Sequence, residues 1–469
     1  MSLPTSDTLA QVLTAQQMRA AEQELFDTGT SVTQLMEIAA GGAAEWVRRI
    51  AGGRPVTVLC GPGNNGGDGY LIARLLREAG NPVEIVAPLE PKTDAATAAR
   101  DAFDGEIRTS GGGRGEGVFV DCLFGSGLSR PLEAEHSLLL RDLAGRHAIA
   151  IAIDVPSGFD SDSGEALNER LPQFDVTLAL GAWKFAHCLQ PCRGRMGTMR
   201  LVPIGVAAVE GAARKIQKPR LRVPAADTHK YRRGLVAILG GEMPGAAILA
   251  ALAAQRAGAG YTKLVSSHSH PGAPPDLVVD DSAPVEALED DRIDAVLIGP
   301  GLGRGGAAKE TLGAAMQAAR PTVIDADALV LLAPDILETE APMIATPHDG
   351  ELETLCRSFH VVASGRKDRA IALAKTSGMI VLAKGPDSFI AAPDGRLAIA
   401  PPTPSWLSTA GTGDVLAGII ASRLATGAEP FDAACEAVWL HGEAARRCGA
   451  AFTAEELARA VSEAFAACL

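Results

Sequence analysis

Aromatic side chains make up only 4% of the 469 residues, and no Lys/Arg cluster is interleaved with them. The basic, aromatic-interleaved surface of a nucleic-acid binder is therefore missing, and the net charge of −13 repels phosphate backbones and anionic lipid. Nucleic acid and membrane surfaces are poor partners for such a chain. The eight cysteines are scattered as Cys60, Cys122, Cys188, Cys192, Cys356, Cys435, Cys448 and Cys468, with neither the CxxC pairs of a zinc site nor the density of a disulfide scaffold. They read as reduced cytosolic thiols. No uninterrupted apolar run is long enough to span a bilayer, and Met1 to Gln17 lacks the basic-then-apolar pattern of a signal peptide. The expectation is a cytoplasmic protein, disordered at most in its first few residues.

What is abundant is small. Alanine and 51 glycines accompany 47% hydrophobic and 21% charged residues, a composition suited to α/β proteins with tightly packed helices. The length exceeds one ordinary core and favours two or three domains, with two the working count. From Pro55 to Asp154, the β-rich runs Val56–Cys60, Val83–Ala87, Val118–Leu123 and Ala148–Val155 alternate with helical periodicity, after the helices Ala15–Phe26 and Val32–Ile50. A second α/β series runs through Leu235–Leu239, Tyr261–Val265, Ala295–Ile298, Thr322–Ile324, Met343–Thr346 and Met379–Lys384, with a hairpin turn at Pro393–Arg396. Such alternation argues for βα units around largely parallel sheets. Between the two series stands a basic, helix-poor stretch, Arg214 to Arg222, read as linker. The expected division is 1–212, linker 213–224, and 225–469. No internal repeat relates the halves, which points to fusion rather than duplication.

Two glycine-rich loops open helices and are candidate anion cradles. In the first, Gly61-Pro62-Gly63-Asn64-Asn65-Gly66-Gly67-Asp68-Gly69, the asparagines and Asp68 supply polar groups where a dinucleotide loop would be nearly bare. Asp121 and Asp154 stand at the ends of predicted strands, before Phe124-Gly125-Ser126-Gly127-Leu128-Ser129-Arg130-Pro131 and Val155-Pro156-Ser157-Gly158. Carboxyl ends of parallel strands share one edge, so both acids and the loop should meet in one crevice. A carboxylate, an amide oxygen and a hydroxyl converging there could hold a hard monovalent cation.

These three blocks, in this order, resemble the NAD(P)H-hydrate epimerase domain over roughly residues 10 to 210. The resemblance implies a Rossmann-like three-layer α/β/α domain with a potassium site at Asn65, Asp121 and Ser157. It implies substrate contacts from Asn64, Asn65, Gly66, Gly67 and Asp68 and from Gly125, Ser126, Gly127, Leu128, Ser129, Arg130 and Pro131. Asp154 would stand beside the nicotinamide ring as acid/base. Lys184 matches a family lysine whose role is catalytic or structural.

The second loop, Ala410-Gly411-Thr412-Gly413-Asp414, points backbone N–H groups at an anion and places a carboxylate on the rim, an arrangement suited to phosphoryl transfer. It resembles the anion hole and base of ribokinase-like enzymes. With Gly240-Gly241, Gly245-Ala246, Gly299–Gly303, Thr346–Glu351 and Lys384–Ser388, residues 225 to 465 resemble ADP-dependent NAD(P)H-hydrate dehydratase, which implies a ribokinase-like α/β fold. The resemblance implies that Ala246, Gly301, Gly303 and His348 touch the hydrated nicotinamide nucleotide. Lys384, Gly385, Pro386, Asp387, Ser388 and Gly413 would hold the adenine nucleotide, with Asp414 facing the substrate hydroxyl as catalytic base. Expected partners are hydrated NADH or NADPH and ADP, with Mg2+ accompanying the nucleotide, K+ in the first domain, and assembly as a homo-oligomer.

Three positions depart from the pattern: Tyr231 where glycine follows His-Lys, Asp349 where proline is usual, and Ser388 where threonine is usual. Ser388 keeps its hydroxyl; Tyr231 and Asp349 change either substrate fit or loop shape. Asp325 and Asp327 read either as a magnesium or structural site or as helix caps. His268 and His270 read as a solvated loop, Cys188 and Cys192 as packed, and His441 as packed. Rival readings are a small-molecule kinase and an N-terminal domain used only for binding.

Overall fold

The computed structural model describes residues 5–111, 116–268, 270, 272–337 and 340–469. Residues 1–4, where the sequence predicts disorder, and Ser269 between the two histidines lie outside the described residues. The chain forms two compact units, Met1–Arg214 and Lys215–Leu469. Among the described residues no helix is long and apolar enough to cross a membrane.

In the first unit, seven parallel strands lie in the order Ile107–Arg108, Val83–Val86, Val56–Cys60, Val118–Cys122, Ile149–Ile153, Val176–Leu180, Thr198–Val202. Every residue of Val56–Cys60 and Val118–Cys122 is buried. Val56, Val58 and Cys60 join one core cluster and Leu59 another, and Val118, Val120 and Cys122 separate from Phe119 in the same way. This is the period-2 alternation of a sheet covered on both faces, hence three layers. Helix Val32–Ala51 turns Leu35, Met36, Ala39, Ala40, Ala43 and Val47 inward, and a Ser31–Gln34 capping box starts it. The strand Thr198–Val202 escaped the sequence reading because it lies at the sheet edge, with only Val202 fully buried.

The second unit orders its strands Val278–Asp280, Tyr261–Val265, Leu235–Leu239, Ala295–Ile298, Thr322–Ile324, Met343–Ala345 and Ile380–Ala383, all parallel. Phe389–Ala391 and Leu397–Ile399 extend it as the expected hairpin, with Gly395 at φ 94° in the turn. The basic stretch read as linker is mostly part of this unit. Ile216 and Leu221 lie in its core, held by Ile216 N–H to Ile399 O at 3.0 Å and Leu221 N–H to Cys468 O at 2.9 Å.

Candidate active sites

In each sheet the strand order reverses at one pair of neighbouring strands, and in open parallel sheets ligands bind outside the carboxyl ends of such a pair. In the first unit the pair is Val56–Cys60 and Val118–Cys122; in the second it is Leu235–Leu239 and Ala295–Ile298. The glycine-rich segments leave these ends.

In the first unit the two loops pack backbone to backbone. A Cβ on Gly61 would fall 1.6 Å from the Leu123 carbonyl oxygen, and one on Gly66 would fall 1.9 Å from that of Gly61. Gly67 abuts Met36. These glycines are needed for the close approach that seats helix Asn64–Glu78. Asn64 accepts from Thr93 Oγ1 at 2.8 Å. Asn65 differs: both its amide atoms are buried without a hydrogen-bond partner. Gly125 brings the crevice together, because a Cβ there would lie 3.2 Å from both Asn65 Cγ and Asp154 Oδ2. Of the following segment, Leu128 packs inward, while Gly127, Ser129, Arg130 and Pro131 form an exposed rim.

Asp154 sits at φ 64°, rare for a side-chain-bearing residue and of the kind that collects at functional sites. Ser126 N–H donates to its Oδ2 at 3.1 Å, and Lys184 Nζ to its Oδ1 at 2.5 Å. Lys184, only 1% exposed, also donates to Leu180 O. Burial would raise the Asp154 carboxyl, but the Lys184 ammonium outweighs it and holds the group below the ordinary carboxylate value. Asp68 goes the other way: burial first, then the negative charges of Asp154 and Glu22, push it well up. Glu22, raised chiefly by burial, belongs to helix Ala15–Asp27; the sequence reading missed it because no motif surrounds it. Asp121 accepts from Ser157 N at 2.9 Å, Ser157 Oγ at 2.8 Å and Leu123 N at 3.1 Å, and burial raises it to about 6.

In the second unit the loops after the switch strands interlock. Gly301 and Gly303 have φ of 65° and 82°; a Cβ would meet Met243 O at 2.2 Å in one and the Glu242 carboxyl in the other. Ala246 lies half-buried in the first turn of helix Pro244–Arg256. Gly411, at φ 88°, caps helix Thr412–Ala425, and His441 Nε2 lies 2.9 Å from Thr412 O. Burial lowers His441 to about 4, so a neutral ring pins the loop. A Cβ on Gly413 would stand 3.4 Å from Lys384 Nζ, which places the lysine beside the anion loop. That ammonium pairs with Asp325 Oδ1 at 2.8 Å, which also accepts from Thr346 Oγ1 at 2.6 Å. Asp325 makes no side-chain cap bond; it anchors Lys384 instead. Asp327 accepts from Gly303 N and Arg304 Nε, fixing that loop. Burial and the charges of Asp325 and Glu351 raise Asp414 to about 7 despite Lys384.

His348 caps helix Asp349–Ser358, its Nδ1 accepting from Gly350 N and Glu351 N, while its ring remains exposed. Ser388 Oγ closes the Lys384–Ser388 turn onto Gly385 N and O. Arg366 packs under Gly385, donates to Asp387 O and grips Asp349 at 2.7 and 2.6 Å, so Asp349 acts on loop shape. Tyr231 precedes strand Leu235–Leu239, at the amino edge, where its ring meets Tyr261, Lys230 and Arg292. It too acts on local packing, far from the carboxyl edge. His270 departs from the solvated reading: His268 is exposed, but both ring nitrogens of His270 are buried, because the loop turns that ring inward.

Two α/β crevices, each with a buried carboxylate beside a lysine and one with an anion loop, define a two-site enzyme that handles nucleotides. A family model described as NAD(P)H-hydrate dehydratase matches residues 236–466, and one described as YjeF-related protein N-terminus matches residues 32–186. The bifunctional NAD(P)H-hydrate repair enzyme Nnr of Salinibacter ruber is 34% identical, covering 94% of this chain and 92% of the relative; that of Escherichia coli is 33% identical over 92% and 88%. Among solved structures, the ADP/ATP-dependent NAD(P)H-hydrate dehydratase from Bacillus subtilis co-crystallized with ATP/Mg2+ aligns at 27% identity and TM-score 0.48, covering 53% of this chain and 95% of that one. The chain belongs to the family of bifunctional NAD(P)H-hydrate repair enzymes.

Proposed function

We infer that the first unit interconverts the R and S epimers of hydrated NADH and NADPH, and that the second dehydrates the S form with conversion of ADP to AMP and phosphate. The observation that carries this reading is the presence in one chain of the Asp154–Lys184 crevice and of the Gly411–Asp414 loop, which opens a helix beside Lys384. At the first site Asp154, whose carboxyl Lys184 holds low, would be the base, while Asp68, whose carboxyl burial pushes up, would return a proton; environments that push two carboxyls apart assign such roles. The unpartnered Asn65 amide and the remaining lone pair of Asp121 suit a monovalent cation. Asn65, Asp121 and Ser157 would hold potassium, which would offset the Asp121 charge and order the loop.

At the second site Asp414 accepts the proton of the ring hydroxyl as its oxygen bonds to the β-phosphorus of ADP and AMP departs. The carbon–oxygen bond then breaks, phosphate leaves with the electron pair, and the neighbouring ring carbon loses a proton. Phosphate leaves far more readily than hydroxide, which is the reason for spending a nucleotide. The backbone N–H groups at Gly411–Gly413 would receive the transferring phosphoryl group, Lys384 to Ser388 would hold the nucleotide, and magnesium would neutralise charge on its phosphates. We place the enzyme in the cytoplasm and as a homo-oligomer. The test is to incubate the protein with mixed R and S hydrated NADH plus ADP or ATP and to follow recovery of NADH absorbance. Recovery of both epimers supports the reading; a stable phosphorylated product makes the second unit a kinase instead.

A further inference from the structure

The basic stretch noted in the sequence takes no part in either site. Between Arg214 and Arg233 eight Lys and Arg stand against one acidic residue, Asp227, in a chain of net charge −13. Concentrating like charge costs free energy unless something opposes it. The fold brings four of the eight, Arg220, Arg222, Arg232 and Arg233, to a groove of about 570 Å³ in the second unit, where Arg423 joins them and Glu436 is the one carboxylate among the described lining residues. That volume lies within the range of small-ligand pockets, roughly 300–1,000 Å³.

The five arginines are not equivalent. Arg423 donates to Glu436 at 2.7 Å, and Arg233 donates to Gly258 O at 3.2 Å. Among the described residues, by contrast, the guanidinium groups of Arg220, Arg222 and Arg232 make no hydrogen bond or ion pair. Elsewhere in this unit arginines mostly find carboxylates: Arg292, Arg304, Arg320, Arg366, Arg396 and Arg446 are all ion-paired. The groove is also held in shape. Leu221 is buried between Arg220 and Arg222, its N–H bonded to Cys468 O, so the two arginines flank a fixed backbone point. Val223, Pro224 and the ring of Phe465 add an apolar patch to the same groove.

We propose that this groove is a second anion site, which takes a small polyphosphate-bearing molecule of the nucleoside polyphosphate class. Three open guanidinium forks match several phosphate oxygens better than a lone carboxylate would, and the apolar patch suits a flat base. The groove also reaches the dehydratase loop through one element. Helix Thr412–Ala425 starts at the anion loop, and its last turn and the residues after it, Arg423 and Thr426 to Ala428, line the groove. The two sites stand at opposite ends of that helix, roughly 20 Å apart at 1.5 Å per residue.

The test uses the full-length protein, its catalytic loop first saturated with a non-hydrolysable ADP analogue and magnesium. Inorganic tripolyphosphate, and separately ATP, are titrated in by calorimetry at about 0.15 M salt, where loose surface pairing is screened. One further site per chain is expected for each probe, with ATP the tighter. In the double variant Arg222→Ser/Arg232→Ser both affinities should fall about tenfold or more, while the dehydratase KM for ADP stays within about a factor of two. Unchanged affinity in the double variant overturns the proposal. So does binding of sulfate as tight as tripolyphosphate, which would mean an adventitious ion only. A change of molecular mass in the double variant without loss of tripolyphosphate binding would make the groove a contact between copies of the chain, and would equally overturn it.

Discussion

Asp154, buried, and Asp414, half-buried, are both carboxylates beside a lysine, yet their proton affinities move in opposite directions. The difference lies in where the ammonium is spent. Lys184 Nζ sits 2.5 Å from Asp154 itself, so its charge outweighs desolvation. Lys384 Nζ is claimed by Asp325 at 2.8 Å, and Asp414 is left facing two further carboxylates, Asp325 and Glu351. The Asp154 carboxyl is thus held low, while the Asp414 carboxyl is raised to about 7. The contrast suits the proposed chemistry: the first carboxylate is stabilised in its charged form by Lys184, whereas at the second a bound nucleotide with its metal would alter the field around Asp414.

The largest expected effects come from removing each carboxylate's charge. Asp414→Asn should lower dehydratase kcat by ~10²–10⁴ while adenine nucleotide still binds, and Asp154→Asn should lower epimer exchange comparably. Dehydratase turnover within a factor of a few of the parent would reduce Asp414 to a polar residue in the first turn of the helix that Gly411 caps. Next, Lys184→Met strips Asp154 of its partner in a site where both side chains are nearly inaccessible. The first unit should lose about 3–5 kcal/mol in urea denaturation, and an unchanged midpoint would mean that the pair adds no more than its desolvation cost.

Separability of the two sites gives a third test. A dehydratase fragment beginning at Lys215 should outlast one beginning at Pro224 by about 3 kcal/mol, because the shorter one lacks the buried side chains of Ile216 and Leu221. Equal thermal midpoints would return that stretch to the status of a linker. The pH profiles sharpen the comparison further. A base works only when deprotonated, so dehydratase kcat/KM, which reports the free enzyme, should fall as pH drops through about 7. In Asp325→Asn a like charge is removed and Lys384 is released, so that limb should move to lower pH. For the epimerase, the Asp154 limb should lie below the ordinary carboxylate range. The smallest effects belong to the departures from the family pattern. Asp349→Pro should change the ADP KM by no more than about threefold, and Tyr231→Gly should alter stability by about 1 kcal/mol with kcat untouched. A tenfold kinetic change in Tyr231→Gly would show that the amino edge of the sheet communicates with the crevice.

Most strands and both crevices were legible because parallel sheets buried on two faces are written as short apolar runs, and because glycine-rich turns mark their carboxyl ends. Asp121, Asp154 and Asp414 each stand at such an end or at the start of a helix, where position along the chain already fixes position on the sheet edge. Glu22 and Lys184 were harder to assign. Glu22 comes from a helix that precedes the sheet, and Lys184 could be matched but not given a partner, since only folding brings it to Asp154. The edge strand Thr198–Val202 carried too little burial to announce itself.

By itself, then, the sequence determined the two-domain α/β plan, the paired glycine loops and the acids that follow particular strands, because these depend on local periodicity and on the order of elements. Which lysine serves which carboxylate was decided by the tertiary structure alone. So were the unpartnered amide of Asn65, the core role of Ile216 and Leu221, and the gathering of Arg220, Arg222 and Arg232 around one groove. Electrostatic energies and desolvation depend on distances between residues remote in sequence, and those distances exist only once the helices have closed on the sheets.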